Sequence, residues 1–229
     1  MQDGINIRRL GVSDYTETHA AMVRFTCERN AHTGDEIWCL QHTPVFTLGL
    51  AGLEEHVLDA GVIPVLKTDR GGQVTYHGPG QLIVYLMLDL TRRGLTVKRY
   101  VYLLEQALIE MCYALDVGAE RRSGAPGVFV HGKKLAALGI RVKRGCSYHG
   151  LALNVDMDLA PFQRINPCGY PGLGVTQLAN EGCNLKVAEA FDALLPHLMD
   201  QLELNMKISK SDMVGMDSGK GSICHPERM

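Results

Sequence analysis

The chain has 229 residues, 46% of them hydrophobic and 21% charged, with a formal net charge of −2. That length accommodates one large α/β domain or two small ones, and the near-neutral charge excludes a global basic field for nucleic acid. Seven cysteines, odd in number and with no Cys-x-x-Cys spacing, argue against a disulfide framework and a structural zinc site. They point to reduced thiols in a cytoplasmic protein. Residues 1–9 are charged and lack a signal-like apolar stretch. The longest uncharged apolar run, residues 82–88, falls far short of the roughly 20 residues a membrane helix needs, so no membrane association is expected.

In chain order, a short strand pattern over residues 5–10 precedes Ser13 and Asp14, which suit a helix N-cap. Ala20, Ala21, Val23, Phe25 and Cys27 then predict a helix with one buried face. Residues 36–40 and 44–49 read as two strands across a turn, 62–67 as a third, and 82–88 as a central strand buried on both faces. The clearest element is a helix capped by Thr96, in which Tyr100, Leu103, Leu104, Ala107, Leu108, Met111 and Leu115 recur at i, i+3, i+4 spacing. Residues 128–130, 134–142 and 148–155 follow as strands, and a last helix is expected over 187–204. Beyond Asn205 the apolar period is lost and Ser, Gly, Lys and Asp accumulate. Residues 1–205 are therefore expected to form the domain and 206–229 a poorly ordered tail. Helices and strands interleave without strict βαβ repetition, which predicts a single α/β domain with a mixed sheet flanked by helices.

Three glycine-rich segments and one cysteine carry candidate chemistry. In Arg70-Gly71-Gly72-Gln73-Val74-Thr75-Tyr76-His77-Gly78-Pro79-Gly80-Gln81 the glycines either let backbone approach a ligand or merely turn the chain. The segment matches neither nucleotide-loop pattern. In Gly132-Lys133-Lys134-Leu135-Ala136-Ala137-Leu138-Gly139 a lysine beside small apolar residues can be positioned for proton transfer, or can simply face solvent, and spacing favours neither lysine. His149, opening His149-Gly150-Leu151-Ala152-Leu153-Asn154, is a base or a structural hydrogen-bonding group. His77, His149 and Cys168 lack metal-ligand spacing, so no metal is expected. Cys168, held between Pro167 and Gly169, reads as a nucleophile on a turn or as a small buried hydrophobe.

In this order the segments, with Asn166-Pro167-Cys168-Gly169, closely resemble the lipoyl(octanoyl) transferases over about residues 38–178. The resemblance implies the fold of the biotin and lipoate protein ligases. It implies transfer of an octanoyl group from octanoyl-acyl carrier protein to a lysine of lipoyl domains, in 2-oxoacid dehydrogenase complexes and the glycine cleavage H protein, without a cofactor. By the same resemblance Cys168 is the acyl-thioester nucleophile and Lys134 its partner, while Lys133 has no match. The acyl-binding segments fall on Arg70 to His77, on Ala137, Leu138 and Gly139, and on Gly150, Leu151 and Ala152. An ammonium beside Cys168 would favour the thiolate, and the amine left after proton transfer would act as base. Backbone amides near Gly169, or His77, are candidates to stabilise the oxyanion. Chain selectivity is expected to depend on packing around Leu138 and Leu151, and Arg141, Lys143 and Arg144 are candidates to contact partner domains. The alternative is an ATP-dependent lipoate-protein ligase, for which a reactive thiol would be superfluous.

Overall fold

A computed structural model describes residues 4–205; the tail expected over 206–229 lies outside them. Its elements are β1 (Asn6–Ser13), α1 (Tyr15–Glu28), β2 (Glu36–His42), β3 (Val45–Leu48), β4 (Val65–Lys67), β5 (Val74–His77), β6 (Gln81–Met87), α2 (Val97–Ala114), β7 (Glu120–Arg122), β8 (Ala125–Val130), β9 (Lys133–Lys143), β10 (Cys146–Asn154) and α3 (Val187–Gln201). Seven strands form a mixed sheet in the order β1-β2-β6-β10-β9-β8-β7, with β1 parallel to β2 and the other pairs antiparallel. A second, three-stranded sheet, β4-β3-β5, stands beside it where the sequence suggested a single sheet. Among the described residues no helix is long and apolar enough to cross a membrane.

Strand alternation explains the layering. Every residue of β6 is buried, as its continuous apolar run requires. Leu82, Val84, Leu86 and Leu88 enter the cluster covered by α2 and α3, while Ile83, Tyr85 and Met87 enter the one covered by α1. On α2, Tyr100, Leu103, Leu104, Ala107, Leu108 and Met111 are buried, as the periodicity predicts. Phe46, Leu48, Val74, Tyr76 and Phe162 form a third cluster under the small sheet.

Three sequence expectations need correction, and one strand is not anticipated by the sequence. The buried stripe of α1 is Tyr15, Thr18, Met22 and Thr26, whereas Ala20 and Cys27 are exposed and Ala21, Val23 and Phe25 pack at its margin. Threonines hid this stripe, because Thr18 Oγ1 satisfies itself on Asp14 O at 2.6 Å and so tolerates burial. The strand expected over 62–67 shortens to Val65–Lys67. Val62 is 98% exposed, and Ile63 N closes a turn onto Ala60 O. Val74–His77, read as part of a glycine loop, is strand β5, and the charged segment Glu120–Arg122 is edge strand β7.

Candidate active site

The largest concentration of the sequence candidates lines one cavity on the α1 face of the seven-stranded sheet. Its floor comes from small residues in register: Gly150 pairs with Gly139 and Ala152 with Ala137. On the other side of β10, Tyr85 pairs with Gly150 and Ile83 with Ala152. Two rows, Tyr85-Gly150-Gly139 and Ile83-Ala152-Ala137, thus make a trough walled by β6 and open over β9 and β10. The segment from Arg70 to His77 roofs it, contributing Arg70, Gly72, Gln73, Val74, Thr75 and His77, and Tyr15 of α1 closes one side. Gly139 is needed for this closure: a Cβ there would lie 3.1 Å from Arg70 Cδ and 3.3 Å from Gly71 O.

The thiol stands at the mouth. Cys168 adopts φ 57°, ψ 18°, a left-handed conformation that Gly169 (φ 76°) continues. Gly169 N bonds Asn166 O at 2.9 Å and Tyr170 N bonds Pro167 O at 3.1 Å, so Pro167 and Gly169 fix a tight turn that lifts Cys168 out of any strand. Lys134 meets it from β9. Its Nζ donates to Cys168 Sγ at 2.9 Å and to Pro126 O at 3.2 Å, and sits 5.0 Å from the centre of the Phe129 ring. Lys134 is only 4% exposed, and its backbone is pinned by Gly174 O and Thr176 N, whereas Lys133 is exposed. The local bulge of β9 against β8, between Val128 and Phe129, accompanies this inward lysine.

Arg70 is buried and donates to Thr47 O, Thr47 Oγ1, Gly71 O and Gln73 O. Burial pushes its guanidinium below the ordinary value, and the charge it retains acts on Cys168, Tyr15 and Tyr85. Among the described residues it has no carboxylate partner within ion-pair distance, so a cation held by neutral acceptors borders the cavity.

The polar groups of the wall are paired with one another. Tyr85 OH donates to His42 Nε2 at 2.7 Å, because His42 Nδ1–H is engaged by Ser13 O at 2.9 Å. His77 Nδ1 faces the Gln81 carbonyl oxygen at 2.8 Å and therefore carries the ring proton, leaving Nε2 as a lone pair. Burial holds His77 well below the usual histidine range, so it is a neutral acceptor and not an oxyanion donor. This removes the role offered for it above. Burial also lowers His42 and His149, and raises Tyr85 well above the ordinary phenol value. What the wall offers to a guest is ring faces and methyl groups, which suits an apolar chain.

Two candidates sit elsewhere. Tyr76 alternates away from the cavity and packs on Phe46 and Phe162 under the small sheet. Gly71 does not line the cavity, and its N–H bonds Ile140 O at 3.1 Å, fastening the roof to the edge of β9. Leu138 and Leu151 line the trough, yet both pack with the α2–α3 cluster, so the residues that set its depth are Ala137, Ile83 and Ala152.

His149, considered in isolation from sequence, belongs to a network. His149 Nε2 and His19 Nε2 each lie 3.0 Å from Asp69 Oδ1, and Tyr148 OH donates to Asp69 Oδ2. The hydrogen bond from His149, with those from Tyr148 and His19, holds the Asp69 carboxyl well below its ordinary range. His19, Asp69 and His149 are also the group whose donor atoms, all within 4.8 Å, are close enough to share a metal ion among the described residues. The hydrogen bonds already satisfy that carboxylate, and burial depresses His149, so the set is explained as a scaffold for the trough wall. Sequence reasoning missed Tyr15, Ile83, Tyr85 and Asp69, because cross-strand register and an 80-residue separation leave no local signal.

Residues 14–199 match the lipoyl protein ligase A/B catalytic domain family. This chain belongs to that family. Among its relatives are the octanoyltransferases of Xanthomonas campestris pv. campestris, 58% identical over 86% of this chain and 83% of theirs, and of Chromobacterium violaceum, 56% identical over 84% and 93%. The chain is accordingly an acyltransferase. Solved structures of similar fold include lipoate-protein ligase A bound with ATP, with TM-score 0.74 and 13% identity over 93% of this chain and 92% of that one. A biotin protein ligase from Aquifex aeolicus, in complex with biotin and ATP, matches with TM-score 0.55 and 13% identity over 86% and 70%. At such identities the likeness concerns the fold, which is that of the lipoate and biotin protein ligases.

Proposed function

We propose that this chain moves an octanoyl group from octanoyl-acyl carrier protein to a lipoyl-domain lysine, through a thioester on Cys168. The carrying observation is the Lys134–Cys168 contact of 2.9 Å at the mouth of an apolar trough. The octanoyl chain lies over the small residues of β9 and β10, with its carbonyl at Cys168. An ammonium in contact stabilises negative charge on the sulfur. The thiolate attacks the thioester carbonyl carbon, and the tetrahedral oxyanion collapses by breaking the bond to the carrier sulfur. That sulfur leaves as a thiolate and takes a proton from Lys134 Nζ. The acceptor lysine then attacks the acyl-enzyme as an amine, Lys134 accepts its proton, and the bond to Cys168 breaks. The products are an amide and a free carrier thiol, with thiolate and ammonium restored. Arg70, a buried cation without a carboxylate partner among the described residues, favours the negative charge that develops near the sulfur.

The test is to incubate the chain with octanoyl-carrier, without ATP and without acceptor, and map any mass adduct. An octanoyl group on Cys168 supports the reading. Absence of an adduct while the carrier is bound overturns it, and a transfer that requires ATP and free acid would favour the ligase alternative.

A further inference from the structure

Cys168 borders two cavities. The trough lies on the α1 face, and the second is lined on the α2 face by Val97 and Val101 of α2, Ala125 and Pro126 of β8, and Leu138 and Ile140 of β9. Pairing between β8 and β9 ends at Gly127 with Ala137, and beyond that point the edge of β9 is met by the Gly71 N–H at Ile140 O; Cys168 lines both cavities, and Lys134 lines the second. The second cavity offers about 300 Å³, against about 50 Å³ in the trough. With the acyl chain seated in the trough, the second cavity is the other space bordering Cys168 into which the group bonded to its carbonyl can extend.

The segments flanking the lining residues Val97, Val101 and Gly124 are basic, in a chain whose formal net charge is −2. Lys98 and Arg99, in the first turn of α2, and Arg122, on β7, are exposed. Arg99 and Arg121 both stack on Tyr102, which is 44% exposed. Arg121 is paired with Glu105 at 3.2 Å, while Lys98, Arg99 and Arg122 have no ion-pair partner among the described residues. Val97 and Tyr170 are about half exposed beside them. The edge thus presents apolar side chains ringed by unneutralised cations.

We propose that the second cavity is the channel for the donor's thioester arm, and that Lys98, Arg99, Arg121 and Arg122 seat an acidic carrier domain from which the arm extends. The inference rests on the acyl-transfer reading above. A long arm with amide groups fills a cavity of this size, whereas an acceptor lysine brings four methylenes only. Opposite charge at the rim fixes the carrier's orientation and speeds encounter, while the carrier adds nothing to the trough.

The experiment compares two octanoyl thioesters, one on acyl carrier protein and one on neutral N-acetylcysteamine, in loading Cys168 of the full chain. The double variant Lys98→Glu, Arg122→Glu is expected to need roughly ten-fold or more carrier for half-maximal loading, a typical cost of reversed rim charges. Loading from the small thioester and the KM for the lipoyl domain stay unchanged, and added salt weakens carrier loading alone. Unchanged carrier loading overturns the proposal, as does an equal loss with both thioesters. A raised KM for the lipoyl domain in place of the carrier reassigns the surface to the acceptor. If the wild type acquires no adduct from either thioester, the acyl-transfer reading falls and this inference with it.

Discussion

Cys168 and Lys134 touch, yet their supports differ in kind. The thiol rides on a three-residue turn, half-buried, with positive φ at two successive residues and outside any strand. The amine is buried inside β9, held by backbone bonds on both sides and packed against Phe129. In the proposed scheme the turn lets the nucleophile project toward incoming carriers, and its substitution disturbs little else. The strand, in the same scheme, fixes the proton acceptor at the expense of making that residue part of the core. The site therefore divides into a half that is chemistry alone and a half where chemistry and stability are joined.

The largest effect should come from the turn. Cys168→Ala removes the only atom able to carry the acyl group in the proposed scheme, and transfer is expected to fall by roughly 10³-fold or more. Thermal unfolding should stay within about 0.5 kcal/mol of wild type, since the residue is partly exposed on a loop. Normal turnover by the variant would demand another nucleophile. Lys134→Met should slow transfer by about 10²–10⁴-fold, the usual worth of a positioned acid–base group. Unlike the cysteine variant, it should also lose about 1–3 kcal/mol in denaturant unfolding, because Pro126 O loses its partner. A lysine variant with undiminished stability would break the contrast between the two halves.

The trough floor gives a smaller effect. Ala137 and Ala152 are paired and line the trough, and a side chain grown there occupies the path proposed for the acyl chain. Ala137→Leu should shift preference toward shorter chains by roughly 10–200-fold in relative kcat/KM, the worth of a methylene or so in an apolar pocket. Leu138→Ala, whose side chain belongs to the α2–α3 side, should leave that preference alone while costing stability. Competition between hexanoyl and octanoyl donors would separate the two.

How much of this could be read from the chain depends on range. Residues 82–88 and the helix after Thr96 are legible because burial imposes a local period, and both fall within a residue or so of the observed elements. Thr18 and Thr26 escape the same test, since buried threonines look like a solvent face in the sequence; Thr18 bonds backward onto Asp14 O, whereas Thr26 Oγ1 is buried without a partner among the described residues. β7 escapes because an edge strand needs little apolar content, and β5 because its four residues follow directly on the Arg70-Gly71-Gly72-Gln73 turn. At the site, Cys168 stands out by its Pro-Gly frame, but its pairing with Lys134 spans 34 residues and was supplied by resemblance to a family. The matched small residues on β9 and β10 are visible as letters, yet their meaning depends on a register that letters do not carry.

The last contrast lies between the charges of the mouth and the neutral wall. His42, His77 and His149 are each held below the ordinary value of 6.5, in every case chiefly by burial. A depressed histidine is neutral in the fold while the unfolded chain takes up a proton once pH drops below about 6.5. Stability is therefore complete above that pH and declines as pH falls, by about 1.4 kcal/mol per pH unit for each histidine still unprotonated in the fold. The carboxyl of Asp35 is lowered by its hydrogen bonds to Arg29, Asp89 N and Arg93 against an opposing desolvation, and it adds a loss of the same sign only below its ordinary value of 3.8. Between pH 6.5 and 4.5 the fall is thus expected from the wall histidines. Urea unfolding across that range should show it, and His77→Gln, which keeps a polar group beside Gln81 but cannot take a proton there, should flatten the slope. An unaltered slope would mean that His77 is protonated inside the fold, and the neutral, apolar wall derived for the trough would have to be given up.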